Sequence, residues 1–153
     1  NSNENRSFYS YNWIYCTTLV FIRKKQKRVM QLTKNFNRQE FDCKDGTKVP
    51  DEFLPNVQEV ANNLQILRDY LKVPVRVTGS GYRSPKHNKK VGGAKFSQHL
   101  TASGADINAD GYTPKELAKE IEKLIKEGKM KQGGIGIYSN FVHYDIRGTK
   151  ARW

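Results

Sequence analysis

The chain has 153 residues, 27 Lys+Arg against 15 Asp+Glu, a formal net charge of +12, and 37% hydrophobic and 11% aromatic residues. That size fits one domain, and the composition excludes a polytopic membrane protein, a collagen-like chain and a wholly disordered one. The positive excess calls for an anionic partner, whether nucleic acid, an acidic membrane surface or an acidic wall polymer, without choosing among them.

The first 29 residues differ from the rest. They carry six basic residues against Glu4, a net of +5, which leaves +7 for residues 30–153. The apolar stretch at 13–22 is shorter than the ~20 residues a transmembrane helix needs. It also precedes its basic run, Arg23 to Arg28, where a secretory signal would follow one. Residues 1–29 are therefore read as an extension outside the fold, with a short membrane tether as the alternative, and the domain is placed at 30–153. Cys16 and Cys43 are the only cysteines and lack a C-x-x-C spacing, so a disulfide framework or thiolate zinc cluster is not expected.

From Met30 onward a polar segment leads to a turn at Lys44-Asp45-Gly46-Thr47. A helix is predicted over 55–71: Pro55 suits its start, and Val57, Val60, Ala61, Leu64, Leu67 and Leu71 form one apolar stripe. Residues 73–78 alternate and are β-branched, so they read as a strand despite Pro74. A Gly/Ser/Lys/Asn-rich loop spans 79–98 and a short strand follows near 104–109. The next helix covers 114–127, with Thr113 as N-cap, Pro114 first, Glu116 at the capping-box position and Gly128 as the stop. Strands over 134–138 and 141–146 flank a Ser139-Asn140 turn. The expected class is α+β: a small, mostly antiparallel sheet flanked by helices.

The chain has three histidines: His87, His99 and His143. His99 precedes Asp106 by seven residues across a run of small side chains that permits close backbone approach. His143 and Asp145 are two apart on a strand and so share a face. Two histidines, a carboxylate and an open position meet the needs of a catalytic zinc site; the alternative is a hydrogen-bonded surface His/Asp pair.

Ser97-Gln98-His99-Leu100-Thr101-Ala102-Ser103-Gly104-Ala105-Asp106 resembles the S-x-H-x-x-G-x-A-x-D signature of the zinc D-Ala-D-Ala carboxypeptidase and murein endopeptidase family, related in fold to the hedgehog signalling domain. Ala102 stands where that signature has Gly, and Gly104 where it has Ala. Ser80-Gly81-Tyr82-Arg83-Ser84-Pro85 is similar to the family's S-G-Y-R-[ST]-P element. Gly133-Gly134-Ile135-Gly136-Ile137-Tyr138 with Phe141-Val142-His143-Tyr144-Asp145 is similar to its closing strands. The likeness covers about 36–153.

The resemblance implies His99, Asp106 and His143 as zinc ligands and Arg83 as the group that holds a substrate carboxylate or polarises the scissile carbonyl. His87 is read as a loop-stabilising residue that can also touch substrate, and Ser97 as support for the His99 loop. Many relatives have Glu or Asp three residues before the last histidine, where this chain has Asn140. Asp145 is then either the substitute general base or the partner that orients His143. The implied reaction is zinc-dependent hydrolysis of amide bonds in peptidoglycan stem peptides or cross-links by a monomer acting on the wall, as a periplasmic, extracellular or phage-delivered lysin. The rival is a catalytically weak wall-binding module that keeps the zinc. A specific nucleic-acid role is not expected, because no aromatic-basic recognition motif accompanies the charge.

Overall fold

The computed structural model describes residues 29–153; the apolar stretch at 13–22, the basic run and Cys16 lie outside the described residues. Short 3₁₀ turns at Arg38–Phe41 and Asp51–Phe53 lead into helix α1, Leu54–Leu71. Strand β1, Val75–Val77, is shorter at both ends than the alternating pattern predicts. The loop expected over 79–98 contains a helix, α2, at Pro85–Lys90, and gives way to a 3₁₀ turn at Gln98–Thr101. Ser84 caps α2 by accepting from the His87 N–H, a signal masked in the sequence by the surrounding Lys and Asn. Strand β2 is Gly104–Ala109, helix α3 is Pro114–Lys126, and β3 and β4 are Gly134–Ile137 and Val142–Asp145. The expected Thr113/Glu116 capping box at α3 is present. A two-residue strand, β5 at Ala151–Arg152, completes the sheet.

The sheet order is β1-β2-β4-β3-β5. All neighbours are antiparallel except β3 and β5, which run parallel, so the α+β expectation of a mostly antiparallel sheet holds. Helices α1 and α3 pack on the sheet and on each other. The predicted α1 stripe, Val57 to Leu71, is buried throughout, together with Ala105, Ile107, Val142, Tyr144 and Ile135 from the strands. Burial of this apolar surface is the main stabilising term, at roughly 25 cal/mol per Å². Asn63, a polar residue within the stripe, accepts from Lys131 N at 2.7 Å and from the Tyr144 hydroxyl at 3.2 Å, so its burial leaves the carbonyl satisfied. Among the described residues no helix is long and apolar enough to cross a membrane.

Strand alternation gives the sheet two unlike faces. Asp106 pairs directly with His143, and Gly104 with Asp145. Ala105, Ile107, Val142 and Tyr144 are then turned to the helices, while Asp106, His143 and Asp145 emerge on the opposite face. Gly136 pairs with His143 on that face. A Cβ at Gly136 would lie 2.5 Å from the Trp153 ring, and one at Gly134 would lie 2.4 Å from Asp145 Oδ2. The two glycines thus make room for an indole and a carboxylate against the sheet.

Candidate metal centre and cleft

Three side chains converge on the polar face. His99 Nε2 lies 3.2 Å from Asp106 Oδ1, His143 Nδ1 lies 3.0 Å from the same oxygen, and the two imidazole nitrogens are 3.1 Å apart. All three residues are at least 95% buried. Each is delivered by a different piece of the fold: His99 by the 3₁₀ turn, Asp106 by β2 and His143 by β4.

The partners behind the rings define their tautomers. His99 Nδ1 is 3.0 Å from the Gly81 carbonyl, which can only accept, so that nitrogen carries the proton. His143 Nε2 is 3.0 Å from Asp145 Oδ2, so its proton sits there. In the neutral rings the two nitrogens that face each other are therefore lone pairs, and both look at a carboxylate oxygen. Three converging lone pairs repel unless a cation or an extra proton lies among them. Metal–donor distances of about 2.0–2.1 Å put the donors of a tetrahedral zinc about 3.3 Å apart, close to the triangle observed. The donor set fits a zinc-type divalent ion. Without metal, the extra proton is the other solution: burial alone would lower the His143 pKa, but hydrogen bonds to Asp106 and Asp145 and their charges raise it above its ordinary value. Burial alone would raise the Asp106 pKa, but hydrogen bonds from His143 and His99 hold it well below the carboxylate range.

The surrounding loop explains the S-G-Y-R-S-P element. Gly81 supplies the carbonyl for His99, the Arg83 N–H donates to the His99 carbonyl at 2.9 Å, and Arg83 Nη2 donates to Asp106 Oδ2 at 2.6 Å. Among the described residues the Arg83 guanidinium has no other hydrogen-bond partner, and it lines a cleft of about 630 Å³ above the three donors. Ser97 lines the same cleft and its Oγ accepts from the His99 N–H at 3.3 Å.

Asp145 is fully buried behind His143 and is not among the residues lining the cleft. Its oxygens accept from His143 Nε2, from Gly134 N at 2.9 Å, and from Arg147 Nε at 2.8 Å and Nη2 at 2.6 Å. Burial pushes its pKa up, but the His143 and Arg147 hydrogen bonds outweigh this and hold the carboxyl well below its usual range. His87 also lies outside the cleft lining, because α2 carries it toward Cys43 and Asp45. Asn140 is exposed and does not line the cleft either.

Arg147, Phe96 and Trp153 belong to none of the sequence motifs, and Tyr138 and Phe141 enter only through the closing strands. Phe96, Tyr138, Phe141 and Trp153 all line the cleft. The Trp153 indole lies 5.4 Å from the His143 ring and 5.4 Å from the Arg147 guanidinium carbon, and its Nε1 donates to the Tyr138 hydroxyl at 3.0 Å. A short aromatic-basic tail was the available signal.

A family profile described as Peptidase M15 matches residues 30–145. No curated protein and no solved structure matches the chain. Arg147 and Trp153 lie beyond the matched residues.

Proposed function

The chain belongs to the peptidase M15 family, and from that premise we propose that it is a zinc-dependent peptidase acting on peptidoglycan stem peptides or cross-links. The observation that carries this reading is the set of three lone pairs, from His99, Asp106 and His143, converging within 3.0–3.2 Å at the base of the cleft. His99, Asp106 and His143 would hold a zinc ion, which when bound would supply Lewis-acid chemistry toward the amide and the attacking water.

The remaining roles belong to the chain itself. The Gly81 carbonyl and Asp145 hold the two imidazoles in the tautomers that present their lone pairs to one point. Arg83 steadies Asp106 with one N–H and offers the others to the scissile carbonyl, whose oxygen gains negative charge as the amide is attacked. Arg147 neutralises Asp145 and borders the cleft, so two guanidiniums face a substrate rich in carboxylates. The aromatic wall excludes water and gives the peptide or adjoining sugar a surface to stack on. We assign Asp145 to positioning, since its oxygens are already committed to His143, Gly134 and Arg147. The folded unit is taken as residues 30–153, whose +7 draws it to an anionic wall, less so at high salt.

One observation favours a second reading, a wall-binding module with little turnover: among the described residues lining the cleft, Asp106 is the only carboxylate. Digestion of purified sacculi with and without a chelator, with products identified by mass spectrometry, separates the two. The peptidase reading expects new peptide termini that disappear on chelation, and their identity names the bond cut. Sacculus binding without any new terminus supports the module instead.

A further inference from the structure

A second group of donors lies away from the cleft. A sulfur of Cys43, a carboxylate oxygen of Asp45 and a ring nitrogen of His87 lie within 4.8 Å of one another, and none of these residues lines the cleft. Cys43 and Asp45 come from one tight turn. Gly46 N donates to the Cys43 carbonyl at 3.0 Å, Cys43 N to the Thr47 carbonyl at 2.9 Å, and Thr47 N to Asp45 Oδ1 at 2.9 Å. Gly46 has φ +89°, which this turn requires and few other residues supply.

A single serine binds the turn to α2. Ser84 N donates to Cys43 Sγ at 3.4 Å, its hydroxyl donates to Asp45 Oδ2 at 2.5 Å, and its Oγ accepts from His87 N at 3.1 Å. Cys43 is 4% exposed, yet the neighbours of its sulfur are an N–H, a carboxylate and an imidazole rather than hydrocarbon alone. Asp45 is exposed and His87 half-buried, so the group opens to solvent on one side.

We propose that Cys43, Asp45 and His87 form a second divalent-metal site, separate from the His99–Asp106–His143 centre, that takes a borderline-soft transition ion of the zinc and cobalt class. A thiolate, an imidazole and a carboxylate suit such ions and disfavour magnesium and calcium. Three protein donors leave a fourth position for water. An ion drawing the donors to bonding distance would take the place of the Ser84 hydroxyl at Asp45 Oδ2 and turn the half-buried His87 ring toward it, while the buried sulfur stays in place. Binding releases the thiol proton to solvent. The ion would tie the 43–47 turn to α2 immediately beside Arg83, and so steady the guanidinium that holds Asp106. Its role is a clamp on the arginine loop.

Cobalt titration of the full chain tests this directly. A thiolate bound to Co(II) gives an intense near-ultraviolet charge-transfer band, whereas the His/Asp/His centre contains no sulfur and cannot. The band therefore reads the second site whatever happens at the first. The proposal expects the band in the wild type and in His99→Ala, its loss in Cys43→Ser and His87→Ala, and its survival in Cys16→Ser. His87 is half-buried, so H87A keeps the test decisive if C43S fails to fold. Absence of the band in the wild type overturns the proposal, as does a band that survives C43S or H87A or that is lost in C16S.

Discussion

Substituting Asp145→Asn separates its two chemical roles. The carboxylate, fully buried, accepts from His143 Nε2 at 3.0 Å, from Gly134 N and from two nitrogens of Arg147. Asparagine keeps the shape and one acceptor oxygen. It removes the charge that keeps the His143 proton on Nε2, and it turns an NH₂ group toward either the imidazole or the guanidinium. Loss of an orienting carboxylate behind a metal-binding imidazole weakens metal affinity by about 10–100-fold, or about 1.4–2.7 kcal/mol. The broken network costs the fold about 1–3 kcal/mol more. Competition with a chromophoric chelator measures the affinity, and turnover of sacculi at saturating zinc measures kcat. Positioning predicts the affinity loss with kcat within about tenfold of wild type. Unchanged affinity with kcat reduced by about 10²–10⁴-fold, the usual worth of a general base, would refute it and make Asp145 the proton acceptor.

Three further outcomes follow from the same geometry. Gly136→Ala places a methyl about where the Trp153 ring lies, 2.5 Å away; we expect the indole to leave His143, KM to rise several-fold with little change in kcat, and Trp153 emission to shift red, whereas unchanged KM and emission would show that the ring is not part of the cleft wall. Metal-free protein should lose stability as pH rises through the raised His143 pKa, having its full contribution below about 6.5. With zinc bound, protons compete for the His143 nitrogen facing the ion, so His143 should make stability rise with pH over that window, its contribution to either slope being at most about 1.4 kcal/mol per pH unit. Asp106 and Asp145, both held below the carboxylate range, stay ionised there, and urea melts at pH 6–8 showing the same sign with and without metal would contradict the assignment. Finally, a chain beginning at Met30 should melt at the temperature of the full chain but elute from an anionic support at lower salt, because five positive charges are gone; a lowered melting point would place residues 1–29 within the folded unit.

How far the sequence could be read depended on whether a signal was local. The capping box at Thr113 and Glu116 marks the start of α3 within four residues, and the apolar stripe of α1 repeats often enough to set its buried face. His99, Asp106 and His143 could be named as candidates because each sits in a compact motif. Their meeting rests on the Asp106↔His143 register, which the strand alternation permits but does not announce. Ala102 shows why the signature has Gly at that position: it caps the 3₁₀ turn at φ +54°, where a side chain costs roughly 1–2 kcal/mol. Trp153 was missed because its partners, Tyr138 and His143, are set by tertiary structure, and Arg147 because an Asp-x-Arg pair is no recognised motif. Arg147 folds back on a residue two positions earlier, and Trp153 follows a strand of only two residues, too short for any periodicity to register. His87 sits in a polar segment whose helix depends on a single serine cap and a distant turn. Its partners, Cys43 and Asp45, lie some forty positions earlier, beyond any local pattern.

In the proposed mechanism His99, Asp106 and His143 together hold the ion on which peptide hydrolysis depends. Strip the full chain with a chelator, add back zinc, and follow the release of peptide termini from sacculi by wild type, His99→Ala and His143→Ala. Stripping should abolish release, zinc should restore it in the wild type, and neither variant should be restored although both remain folded. Undiminished release by the stripped wild type, or full restoration of either variant, would contradict it.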